Sequence, residues 1–200
     1  MKRFLFSTLA LGVLTLSSPG QGTFSLNNSA SSLVLTTTVY GTNAPASSSL
    51  DAKLEILWAP VGTTDYNLFQ LVPGAVVNVG VISPGRFSGG TRTIPAGSGY
   101  TGIAPGDTVA ALFRGWTGPA TSWNQFQSFG WNGLLGFSSI FTIDTGDPTM
   151  TPAGTPASIY SSTATPFSGM VIGWIPEPSS AALLLLSCGL LGWRRLRSAH

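Results

Sequence analysis

The chain has 200 residues, about the length of one domain. Only 8% of them are charged, against roughly 25% in an ordinary soluble domain. The formal charge of +2 does not make a nucleic-acid binder: Lys2 and Arg3 sit at one end, Arg194, Arg195 and Arg197 at the other, and seven carboxylates outnumber the four basic residues between them.

The 25 glycines and 14 prolines, with abundant Ser and Thr, are the composition of many short strands joined by turns. Cys188 is the only cysteine, so neither an internal disulfide nor a cysteine-based zinc site is available.

The N-terminus reads "MKRFLFSTLALGVLTLSSPGQG". Lys2 and Arg3 form a positive head, Phe4 to Leu16 an apolar run, and small residues follow, with Gly20 and Gly22 at −3 and −1 for cleavage before Thr23. These three parts in order predict a secretory signal helix over residues 1–22.

Residues 23–144 read as the folded ectodomain. Runs 31–40 and 52–59 come first; in the second, Leu54, Ile56 and Trp58 alternate with Lys53 and Glu55, the period of a half-buried strand. Runs 66–72 and 75–82 flank Pro73-Gly74 and are expected to form a hairpin. "RFSGGTRTIPAGSGYTG" is loop-rich, and 105–116 is a turn followed by a strand. Strands are also predicted over 124–131, 137–144 and 169–174, while the Pro, Thr and Ser-rich stretch 145–167 reads as a semi-extended linker within segment 145–175. About eight short strands without helical periodicity predict an all-β fold, an antiparallel sandwich or jelly roll.

The chain closes on "IPEPSSAALLLLSCGLLGWRRLRSAH". Residues 179–193 form an uncharged run that reaches only about 22 Å as a helix, short for a hydrocarbon core of roughly 30 Å. The arginines behind it stay cytoplasmic, as do Lys2 and Arg3, so both ends place residues 23–178 outside the cytoplasmic membrane.

Pro176-Glu177-Pro178, the short transmembrane helix and the arginine cluster together resemble the PEP-CTERM sorting domain over residues 176–200. The resemblance implies a substrate of exosortase, a membrane-embedded processing enzyme. It would cut near Pro176-Glu177-Pro178, release the membrane helix and send the protein to the cell surface or matrix, often beside exopolysaccharide. A permanent single-pass anchor is the alternative.

The chemistry on offer is sparse. His200, the sole histidine, lies beyond the expected cut, so no histidine-based triad or metal site exists in the ectodomain. Asp107, Asp144 and Asp147 could share a calcium ion, but Asp and Gly in such a stretch more often make turns. No pair of carboxylates is spaced for glycoside hydrolysis. A non-enzymatic protein without metal or cofactor is expected. Among the tryptophans, Trp58 and Trp116 are placed on buried strands, while Trp123, in "TGPATSWNQ", is expected in an exposed loop as a stacking face for a sugar ring.

Overall fold

The computed structural model describes residues 22–37, 41–94, 104–130, 133–151, 153–161 and 163–173. Residues 1–21 of the expected signal segment and the whole sorting signal 176–200 lie outside the described residues. No helix among the described residues is long and apolar enough to cross a membrane.

In chain order come β1 (Thr23–Asn27), β2 (Val34–Thr37), β3 (Asn43–Pro45), β4 (Lys53–Pro60), β5 (Gln70–Asn78), β6 (Ser88–Thr93) and β7 (Thr108–Trp116). The helix α1 (Trp123–Ser128) follows, then β8 (Leu135–Phe137), β9 (Phe141–Asp144), β10 (Ala157–Ser158) and β11 (Met170–Ile172). The described chain is mostly β-sheet, as the composition predicts.

The centre is the pair β4–β7, antiparallel in unbroken register from Lys53 opposite Trp116 to Pro60 opposite Val109. β5 lies on the far side of β4, while β8 and β9 share the other edge of β7. Strand alternation sends Leu54, Ile56 and Trp58 of β4 and Val109, Ala111 and Phe113 of β7 to one face. There they meet Phe24 and Leu26 of β1, Val34 of β2 and Ile172 of β11, so residues of the two smaller sheets, β10-β1-β6 and β11-β2-β3, share one core with the large sheet. The Phe113 ring lies 5.0 Å from that of Phe167, 5.4 Å from Phe87 and 5.5 Å from Phe141. A buried phenylalanine contributes about 2–3 kcal/mol through lost water contact.

The opposite face of the large sheet is also covered. Leu57, Ala59, Ala110 and Leu112 pack with Phe69, and Trp116 packs with Ala120, Trp123 and Phe126.

Several expectations are corrected. Pro73-Gly74 does not turn a hairpin. Both residues lie inside β5, where Glu55 pairs with Val76 but Leu57 pairs with Leu71, so the intervening residues bulge. Gly74 adopts φ 65° there, and Pro73, lacking an N–H, suits a bulge equally well. The described part of the run 124–131 is not a strand: residues 123–128 are helical, and Trp131 lies outside the described residues. Ser122 caps the helix, its Oγ accepting from Gln125 N, and the Gln125 side chain reaches back to accept from Thr121 N at 2.7 Å. Ser-x-x-Gln is a capping-box spacing.

The loop-rich stretch supplies β6, which pairs with β1. The expected linker is also an integral part of the fold. Ile159 and Phe167 are buried in the main core, and β10 pairs with β1. Nor is pairing antiparallel throughout, since β10–β1 and β11–β2 run parallel.

Candidate functional site

The residues with the most specific expected role, Pro176, Glu177, Pro178 and Arg194, Arg195, Arg197, lie outside the described residues. Inside them, the aspartates Asp107, Asp144 and Asp147 are engaged in structural hydrogen bonds. Asp144 accepts from Thr108 Oγ1 through one oxygen and from Thr163 N and Oγ1 through the other. Asp147 accepts from Thr149 N at 2.8 Å, and Asp107 from Ala104 N at 2.7 Å. The Asp107 and Asp147 bonds stabilise turns, whereas Asp144 ties the end of β9 to Thr108 of β7 and to Thr163. Among the described residues no three His, Cys, Asp or Glu side chains gather as a metal site.

Ion pairs organise the outer face of the large sheet. Glu55 and Arg114 stand opposite each other across β4 and β7, with Arg114 Nε 2.7 Å from Glu55 Oε2. The Glu55 side chain is 4% exposed and that of Arg114 20%. Beside them Lys53 Nζ lies 2.7 Å from Asp51 Oδ1 and donates to the Gly118 carbonyl at 2.8 Å.

Trp123 is where the site departs from expectation. It opens α1 rather than a loop and is only 4% exposed. Its ring stands 5.9 Å from Trp116, tilts over Phe126 at 5.7 Å and lies 5.1 Å beneath the Arg114 guanidinium. A ring enclosed in this way has no face left for a sugar. Trp58 and Trp116 are buried on their strands as expected.

The exposed aromatics among the described residues are Tyr66, Phe129, Phe137 and Tyr160, and two of them fall together. Tyr66, in the short 3-10 turn before β5, is 51% exposed, and Phe137, at the end of β8, is 49% exposed. With Ser138 and Ser139 they line an open cleft of about 560 Å³. The Phe137 ring stands edge-on to Trp123 at 5.4 Å, so one wall of the cleft rests on the buried cluster.

Phe137 faces outward because the predicted strand 137–144 breaks. Ser138 Oγ accepts from Phe113 N at 2.8 Å, replacing a backbone partner, and β9 restarts at Phe141. In a continuous strand Phe137 would share the inner face with Phe141 and Ile143. The break reverses the phase and puts it opposite Arg114 on the outer face. Sequence alternation gave no sign of this. The nearest signal was the pair Ser138-Ser139 interrupting the apolar run.

Comparison with known proteins brings no relatives: no protein-family model, no curated protein and no solved structure matches this chain.

Proposed function

We propose that this chain is a secreted, non-enzymatic cell-surface or matrix protein whose C-terminal PEP-CTERM tail is processed by exosortase. What carries the reading is the tail itself: Pro176-Glu177-Pro178, the apolar run 179–193 and Arg194, Arg195 and Arg197, in that order and in a chain with a signal-like N-terminus. At one end of the described fold Gly22 O accepts from Ile94 N at 3.0 Å, and at the other Gly173 and Leu135 exchange two backbone bonds of 2.9 Å. These bonds tie both ends of the described fold into its sheets. A two-layer sandwich is the architecture proposed for it, supported by the core that the large sheet shares with the two smaller ones. The engagement of Glu55, Asp107, Asp144 and Asp147 in structural bonds favours a non-catalytic role.

The test is the intact mass of the protein recovered from the surface of its host. A chain ending near Pro176-Glu177-Pro178 is expected. One that keeps Arg194, Arg195 and Arg197 in the inner membrane overturns processing and leaves a permanent anchor.

The cleft favours a second reading, an exopolysaccharide-binding module delivered the same way. Tyr66 and Phe137 take over the stacking role first assigned to Trp123. Exposed aromatic faces flanked by serine hydroxyls suit a pyranose, which presents C–H groups on its face and hydroxyls at its edge, and the cleft volume is in the range of small-ligand sites. Co-sedimentation with the host's insoluble polysaccharide tests it, and no binding retires it.

A further inference from the structure

Two cuts satisfy the small-residue rule at the end of the signal segment: after Gly22, with Gly20 at −3, and after Gly20, with Ser18 at −3. The fold distinguishes their products. Gly22 is buried, and its carbonyl is the acceptor for the N–H of Ile94, itself a buried core residue. The next residue, Thr23, is locked to Gly146 by a bond in each direction, Thr23 N to Gly146 O at 3.0 Å and Gly146 N to Thr23 O at 2.7 Å.

Gly22 also sits against a side chain that has little freedom to move. A Cβ at this position would come within 2.6 Å of Thr145 Cβ. The Thr145 hydroxyl is held by donating to Asp107 O at 2.7 Å and accepting from Gly106 N at 3.1 Å. Glycine is thus the residue that fits here, and its peptide group forms part of the edge where β1 meets β6.

Resting on the secretion reading above, we infer that signal peptidase hydrolyses the Gly20–Gln21 bond, and that the mature chain begins Gln21-Gly22-Thr23. Water adds its hydroxyl to the Gly20 carbonyl carbon and a proton to the Gln21 nitrogen. The peptidase acts before the chain folds, so the fold does not steer the cut. It shows which of the two products can complete its sheet. A cut after Gly22 would leave the Ile94 N–H without its acceptor, and an unmatched buried donor is costly. It would also place a charged ammonium at Thr23 N, inside the bridge to Gly146.

The test is the N-terminal mass and sequence of the protein exported by its host. The expected start is Gln21, or its cyclised form lighter by one ammonia. A start at Thr23 overturns the inference and leaves secretion standing, whereas a surface protein that retains Lys2 and Arg3 overturns both. A second measurement keeps the argument independent of the host. Chains beginning at Gln21 and at Thr23, otherwise identical, are compared by thermal unfolding. The shorter is expected to melt roughly 5 °C lower, and equal melting overturns the structural argument.

Discussion

Glu55 and Arg114 face each other in the antiparallel register of β4 and β7, joined at 2.7 Å, with the Arg114 guanidinium 5.1 Å over the indole of Trp123. The pair spans the two central strands and is mostly shielded from water, so screening weakens it less than a surface bridge. Removing one member strands the other. Arg114→Ala is expected to lose about 3 kcal/mol in urea unfolding, because the buried Glu55 carboxylate is left uncompensated. The double variant Glu55→Leu with Arg114→Leu should recover most of that loss. A double variant as unstable as Arg114→Ala would show that the loss comes from the arginine's packing and not from the stranded charge.

Trp123 lies at the centre of the outer cluster, so truncation should unfold rather than unbind. Trp123→Ala removes contacts to Trp116, Phe126 and Phe137 together, and a large aromatic cut to alanine in a packed site costs about 3–5 kcal/mol. The measurement is the denaturation midpoint. A variant as stable as the parent would return Trp123 to the surface role that the sequence suggested.

Asn28 carries a different kind of weight. Its buried amide donates to Ser32 O at 2.8 Å and Gly85 O at 2.9 Å, while its Oδ1 accepts from Phe87 N at 2.9 Å. Asn28→Ala leaves Ser32 O and Phe87 N unmatched, while Gly85 O keeps the Val34 N–H at 3.0 Å, and about 2 kcal/mol of stability should go with the two lost partners. Asn28→Asp keeps the acceptor but aims a carboxylate at two carbonyls. Burial and the missing donor raise its folded pKa above the unfolded value, so the folded state holds the proton more tightly. Relative to the parent, this variant should gain stability as pH falls through the folded pKa. A difference that stays flat with pH would mean that the side chain has swung out to solvent.

How much of this was legible in the sequence differs from element to element. β4 and β7 were, because Leu54, Ile56 and Trp58 alternate with charges and because one dense core absorbs their inner face. β5 was misread because Pro73-Gly74 serves a bulge as well as a turn, and only the register with Glu55 and Leu57 decides between them. Residues 123–128 have aromatic, strand-like composition, yet the Ser122 and Gln125 cap, readable in principle, sets a helix. Ile159 and Phe167 are two apolar residues in a Pro and Thr-rich stretch, and their burial depends on long-range contact with Phe87, Phe113 and Phe141 that no local pattern encodes. The candidate cleft was the least legible part. It exists because a break at Ser138 turns Phe137 outward, a consequence of tertiary pairing.

The cleft separates into a removable wall and a supporting one. Tyr66 is half exposed, and its nearest ring neighbour, Phe69, stands 6.4 Å away. Tyr66→Ala should therefore abolish retention on host polysaccharide while shifting stability by no more than about 0.5 kcal/mol, as for an ordinary surface substitution. Phe137→Ala should weaken retention and stability together, since the ring also leans on Trp123. Affinity electrophoresis in polysaccharide gels, run beside urea unfolding, reads both. Loss of retention in Tyr66→Ala at unchanged stability supports a glycan surface, because a variant that remains folded can lose binding only at the cleft itself. Retention equal to the parent in both variants removes the cleft from consideration and leaves the protein as a structural component whose exposed aromatics carry no glycan.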